Sequence, residues 1–330
     1  MRWDGKGAAV DVKEDVLGPE YEAIVLPLGE DFEGEVIATL VRRRAAAPTR
    51  RAVLYVHGFV DYFFQRHLAD FYVERGFDFY ALDLRKYGRS LLPHQTPNFI
   101  HSLSEYFTEI DEAVRIIREA DGHDVLLINA HSTGGLTTSL WADRVKGKGL
   151  VQGLFLNSPF FDMNIPAPVR IAGDVLSKAL RARWPTVKLP SPRAGLYVRH
   201  LHRDYEGEWD FDLNWKPMFG FPVRAAWLAA IRRAHARLHA GLEIDAPVLV
   251  MASTRSARGR AAEQAVSVAD IVLDVDHIAR WAPKLGPRVT VVRIKDGIHD
   301  LVLSGKEARE QVFTELDRWI RSYLPEPPSA

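Results

Sequence analysis

The chain contains no cysteine among its 330 residues, which excludes disulfides, thiolate nucleophiles and thiolate metal ligands. Nor does one charge prevail: Lys plus Arg and Asp plus Glu each number 43, for a formal net charge of zero. No global field gathers nucleic acid or an anionic membrane, and neither is expected as a partner. Runs of about 18 apolar residues are lacking, so no segment reads as a membrane-spanning helix. The first residues, Met1-Arg2-Trp3-Asp4-Gly5-Lys6, are polar and lack the apolar centre of a secretion signal. A soluble, cytoplasmic protein without stable membrane insertion is the expectation. There is no internal repeat, and the sequence assigns no oligomeric state. Hydrophobic residues make up 47% and charged residues 26%, the balance of a chain that buries a core. Its length suits one large α/β domain with an insertion, or two ordinary domains.

Strand and helix patterns alternate through most of the chain. Residues 21–28 and 36–41 are β-rich runs separated by Gly29-Glu30-Asp31 and Gly34, a hairpin or meander. Short continuous apolar runs follow at 52–56, 77–82, 125–130, 150–156, 248–251 and 289–294, the mark of strands buried on both faces. Helical patterns fall at 65–75, 104–120 and 306–323; in the last, Val312, Leu316, Trp319, Ile320 and Tyr323 share a stripe. The alternation predicts a mostly parallel, eight-stranded sheet with helices on both faces. Arg42-Arg43-Arg44 and Arg50-Arg51 flank a predicted hairpin turn at 45–49 and read as exposed charges. From about residue 160 the rhythm breaks into a stretch rich in Pro, Arg and aromatics. The predicted division is a core at 1–159, an inserted cap at 160–243, the rest of the core at 244–324, and a disordered Pro-rich tail at 325–330.

The strongest chemical signal is Asn129-Ala130-His131-Ser132-Thr133-Gly134-Gly135, between a buried strand and a helical segment. A small-x-Ser-x-Gly turn there lifts a hydroxyl out of the sheet beside a helix N-terminus, with small residues where strand and helix pass closely. Ala130 stands where Gly is usual. The competing reading is a serine that merely caps a helix. One strand-helix-strand earlier, a strand ends in His57-Gly58-Phe59, a turn able to aim a backbone N–H at the serine, or simply a strand-ending turn. Gly297-Ile298-His299-Asp300-Leu301 follows the last predicted strand and precedes the last helix. An imidazole at that sheet edge can act as a general base, whereas a lone loop histidine is ordinarily a solvated surface residue.

With these residues the chain resembles the α/β-hydrolase superfamily, and within it the monoacylglycerol lipase and lysophospholipase-like branch, often labelled serine-aminopeptidase-like. Asp83-Leu84-Arg85-Lys86-Tyr87-Gly88-Arg89-Ser90 is similar to that branch's D-x-R-G-x-G-x-S turn, with Lys86 where Gly is common. The resemblance covers about residues 20–158 and 245–323, not the insertion, and is specific for fold rather than substrate. It implies an α/β-hydrolase fold with Ser132 as nucleophile, His299 as its base, and the N–H groups of Phe59 and Thr133 as the oxyanion hole. It also implies an acid in the loop after the penultimate strand, which orients the imidazole and stabilises its charged form. The Ala269-Asp270-Ile271-Val272-Leu273-Asp274 pattern is similar to the family's acid loop and puts the acid at Asp270. Asp274 is the alternative, or else the N-cap of the next helix; Asp276 and Glu263 are outsiders.

The implied activity is hydrolysis of a small-molecule carboxylic ester, lipid-like or aryl, with no cofactor. The same triad suits a thioester or an amide, and the fold also hosts non-catalytic receptors for small ligands. An aminopeptidase would need carboxylates for a free amino terminus, and Glu206, Glu208, Asp210 and Asp212 are candidates. His200-Leu201-His202-Arg203-Asp204 mimics the start of a metallohydrolase ligand set, but the Asp-His pair that should follow is missing, so no metal is assigned. Arg232, Arg233, His235, Arg237 and His239 read as a solvated basic helix face. The aromatics of the insertion serve as its own core and suit an apolar acyl pocket.

Overall fold

Arg51–Val56 (β4) is buried at every position, as are Asp78–Asp83 (β5), Gly153–Asn157 (β7) and Val248–Ser253 (β8). Both faces of these strands are covered, which is why their sequences are continuous apolar runs rather than alternations. They belong to one nine-stranded sheet of order β1-β2-β3-β5-β4-β6-β7-β8-β9. The others are Val12–Asp15 (β1), Gly18–Asp31 (β2), Gly34–Arg43 (β3), Val125–His131 (β6) and Val289–Ile294 (β9). The computed structural model describes residues 12–164, 184–189 and 195–324. The predicted tail at 325–330 and two stretches of the insertion, 165–183 and 190–194, lie outside the described residues.

Pairing is antiparallel from β1 through β3 to β5 and parallel from β5 to β9. The mostly parallel sheet is as the sequence predicts, with one short strand, β1, added at the edge. Alternate residues of β4 serve two cores. Leu54 and Val56 pack with Ile110, Trp141 and Ile231 from the helices Phe107–Arg115 (α2), Thr133–Val145 (α3) and Ala225–Ala240 (α5). Val53 and Tyr55 pack with Leu68 and Leu316 from Arg66–Val73 (α1) and Lys306–Tyr323 (α8). From β4 the chain steps to one side for β5, then crosses back to the other for β6. The order of strands therefore reverses at β4, and the C-terminal ends of β4 and β6 mark the switch point at which sheets of this kind place their ligand sites.

Three expectations fail. Residues 45–49 are not a hairpin turn, because β3 pairs with β5 and not with β4. The flanking arginines are accordingly not all surface charges: Arg42 and Arg51 are only 4% and 6% exposed. Arg42 bonds Glu22 and Asp121, Arg44 bonds Asp78 and Asp121, and Arg51 donates to the Leu324 carbonyl over the Phe77 ring. The acids that pair them come from distant parts of the chain, which no local pattern announces. Nor is the face of α5 simply solvated. His235 is fully buried with Nε2 on the Phe160 carbonyl, and His239 stacks on Trp281 at 3.5 Å.

Candidate active site

Ser132 sits between β6 and α3 with φ 51° and ψ −117°, a conformation that suits glycine and that a serine holds only under strain. Its backbone is tied on both sides. Its N–H donates to the Asn157 carbonyl at 3.0 Å, and its own carbonyl accepts from Gly135 and Phe160. The small residues around it are there for contact. A Cβ added to Gly135 would stand 2.7 Å from Pro159 Cβ, and one added to Gly58 would stand 3.0 Å from Ser132 Cβ. The loop after β4 thus lies directly against the serine.

His57 shapes that loop. Leu84 N–H donates to its Nε2 at 3.0 Å, so Nδ1 carries the ring proton and donates to the Gly58 carbonyl at 2.8 Å. Burial is the main influence on this ring and holds it below the ordinary imidazole range, so it stays neutral. The next turn is built from Asp83, which accepts from Phe63 N–H and from Arg89. Lys86 replaces the usual glycine and takes a positive φ of 63°. Its ammonium reaches Asp31 at 2.6 Å and Glu33 at 2.5 Å, which ties this turn to the β2–β3 connection.

His299 lies in the turn after β9. Its Nε2 is 3.1 Å from Ser132 Oγ, and its Nδ1 is 2.9 Å from Asp270 Oδ2. A carboxylate only accepts, so Nδ1 carries the proton and the Nε2 lone pair faces the serine hydroxyl. Asp270 is fully buried, and its other oxygen accepts from the N–H groups of Val272 and Leu273 at 2.8 and 2.7 Å. A long excursion separates it from β8. The backbones of Arg255 and Ala257 bond that of Asp270 and return the chain to the sheet. Asp274 does not reach the ring; it caps Val275–Trp281 (α7) through Asp276 N–H and pairs with Arg258. Glu263 lies on the short helix Arg260–Ala265 (α6), and Asp276 pairs with Arg293 at 2.7 Å.

Phe59 lies in the loop against Ser132, with its ring 4.1 Å from that of Trp227 on α5, and Thr133 opens α3. The four insertion carboxylates form no common cluster. Glu206 pairs with Arg199, Glu208 with Arg309 and Asp210 with Arg203, while Asp212 accepts from Asn214. His200 and His202 are helical or just past Gly195–Leu201 (α4), not alternate residues of a strand, and His202 bonds the Phe211 carbonyl. Insertion aromatics also border an open cavity of about 700 Å³, lined in part by Tyr62, Phe64, Trp209 and Trp215; neither Ser132 nor His299 lines it.

Sequence reasoning passed over a second buried group beside the first. Asp61, His131 and Asp300 are all buried, with ligand-type atoms within 4.8 Å of one another. The His131 ring lies 4.8 Å from that of His299. Asp300 accepts from Asn157 at 2.7 Å and from Gln65 at 3.2 Å, while Asp61 meets the ammonium of Lys216 at 2.5 Å. Asp61 three residues past Gly58 and Asp300 next to His299 were the available signals, but neither names its partner.

A family model described as serine aminopeptidase, S33, matches residues 47–293, which include Ser132 and Asp270 and stop short of His299. No curated protein matches the chain. Solved structures similar to it include a soluble variant of the monoglyceride lipase of Saccharomyces cerevisiae in complex with a substrate analogue. That one has a TM-score of 0.64 at 15% identity, covering 96% of this chain and 95% of the other. The monoacylglycerol lipase of Paleococcus ferrophilus gives 0.62 at 22% identity, covering 86% and 99%. Est1E of Butyrivibrio proteoclasticus with ferulic acid bound gives 0.55 at 15%, covering 88% and 97%. Identities this low speak for the fold and leave the substrate open.

Proposed function

The chain belongs to the serine aminopeptidase, S33, family of α/β-hydrolases, and on that footing we propose that it hydrolyses carboxylic esters through an acyl-enzyme on Ser132. The observation that carries the reading is the line Ser132–His299–Asp270, at 3.1 and 2.9 Å. His299 removes the hydroxyl proton as Ser132 attacks the carbonyl, and Asp270 stabilises the imidazolium that results. The N–H groups of Phe59 and Thr133 hold the oxyanion, each contributing about 2.7–4 kcal/mol of transition-state stabilisation by analogy with other such donors. His299 then protonates the leaving alcohol, and water, activated by the same ring, releases the acid.

The described residues of the 160–243 insertion act as the cap. Trp227 against Phe59 gives the acyl side an aromatic wall, which supports a medium-chain or aryl ester over a small polar one. The amide-cleaving alternative draws less support, because each of the four candidate carboxylates for a free ammonium is committed to an arginine or a turn.

The test is hydrolysis of p-nitrophenyl esters from acetate to long acyl chains, beside acyl thioesters and aminoacyl arylamides. Wild type is expected to turn over esters with an optimum beyond acetate, and Ser132→Ala to abolish it. Turnover of arylamides or thioesters without turnover of esters overturns the reading, and an optimum at acetate overturns the apolar pocket.

A further inference from the structure

Among the contacts that the described residues of the segment after β7 make with the core, two flank the reaction centre. At the first, Lys216 Nζ lies 2.5 Å from Asp61 Oδ1, with the two side chains only 7% and 3% exposed. Asp61 is two residues beyond Phe59 in the loop that abuts Ser132. Neighbouring contacts hold the same stretch down: Asp212 N–H donates to Tyr62 Oη at 2.6 Å, and Trp215 packs edge-on against Tyr62 at 5.1 Å. At the second place, Asp300 N–H donates to Tyr197 Oη at 2.9 Å, and the Tyr197 ring stands 5.9 Å from that of His299. Residues 195–216 therefore run from the histidine loop to the loop after β4.

The ground between the two anchors is acidic and buried. Asp61 and Asp300 face each other there beside His131, and Asp61 Oδ2 is buried without a partner. Burial would raise the Asp61 carboxyl, but the Lys216 ammonium beside it holds it below the usual range. The inserted segment thus supplies the counter-charge for an acid that the core buries behind its own oxyanion loop.

We propose that residues 195–216 form a positioning strap for the reaction centre. Lys216 sets the loop of Phe59 through Asp61, and Tyr197 sets His299 through the backbone of Asp300. The proposal rests on the esterase reading of Ser132. Neither residue touches the reacting atoms; each acts through a neighbour whose placement decides transition-state stabilisation.

The experiment compares Lys216→Met, Lys216→Arg, Asp61→Asn/Lys216→Met and Tyr197→Phe by ester kinetics, thermal melting and hydrogen–deuterium exchange. Lys216→Met is expected to lower kcat at least about tenfold on short and long esters alike, with KM within about twofold, because the loss lies in the transition state. Lys216→Arg restores most of it. The double variant, with no lone buried charge, recovers Tm but not kcat. Exchange quickens at 57–64 in Lys216→Met and at 298–304 in Tyr197→Phe. A kcat that follows Tm through all the variants, or a Lys216→Met enzyme with wild-type kcat, overturns the strap. A wild type inactive on every ester ends the functional reading alone; the exchange pattern still decides the strap, and unchanged exchange at both loops overturns it.

Discussion

A Cβ on Gly134 would stand 2.4 Å from the carbonyl oxygen of His57, closer than any real Cβ approaches backbone. The first turn of α3 and the end of β4 therefore meet backbone to backbone, and this contact fixes the distance between Ser132 and the loop of Phe59. Gly134→Ala must push the two apart. It is expected to cost about 1–3 kcal/mol of stability by overpacking. Because the proposed oxyanion donors, Phe59 and Thr133, would separate as well, kcat should fall by at least about tenfold. Urea melts and ester kinetics on the same preparation check both.

Ser132→Ala and His299→Gln are each expected to lower kcat by about 10⁴–10⁶-fold, and Asp270→Asn by about 10⁴-fold through loss of the correct tautomer. Near-equal losses in the single and double variants would mark them as one unit. Variants that keep more than about a tenth of the activity would show that another group does the work.

The strain at Ser132 predicts a separate effect. At φ 51° and ψ −117°, glycine is at ease and alanine is not. Ser132→Gly should therefore melt higher than Ser132→Ala, by the equivalent of about 1 kcal/mol, although both are inactive. Equal melting temperatures would remove the claim of strain.

Acid stability should depend on His235. Burial, its largest influence, pushes this ring down to about 3, while its Nε2 bonds the Phe160 carbonyl. Its folded pKa lies below the unfolded value of about 6.5, so between those limits the unfolded chain binds more protons. Stability is then full above about pH 6.5 and lost as pH falls towards 3, by an amount on the order of a few kcal/mol. His57 and His131 are shifted the same way, with burial again the first cause. His235→Gln should flatten the fall in urea midpoint between pH 6.5 and 4. An unchanged slope would assign the acid sensitivity to other groups.

Trp227→Ala removes the ring beside Phe59. It should cost about tenfold in kcat/KM on long-chain esters and leave acetate nearly unchanged, as expected of lost apolar contact. An equal loss on both would place Trp227 in the stability of the loop instead of in chain recognition.

Much of this protein is written locally. The runs at 52–56, 125–130 and 248–251 read as buried strands because a strand covered on both faces has no polar side to show. Ser132 is legible because strand, sharp turn and helix need small residues at fixed offsets. Asp270 comes only through the family resemblance, with Asp274 beside it as an alternative, and its bond to His299 depends on the tertiary structure. Other features depend on which distant segments meet. The order of β5 and β4 turns 45–49 from a hairpin into a crossover, and it buries Arg42 against Asp121, 79 residues away. Lys216 finds Asp61 across 155 residues, and His235 looks like part of a basic surface until α5 is laid on the Phe160 carbonyl. Hydrophobic burial leaves a periodic trace in the sequence because it is repeated along each element. A single ion pair or buried histidine has no period, so only the tertiary structure could decide where those charges lie.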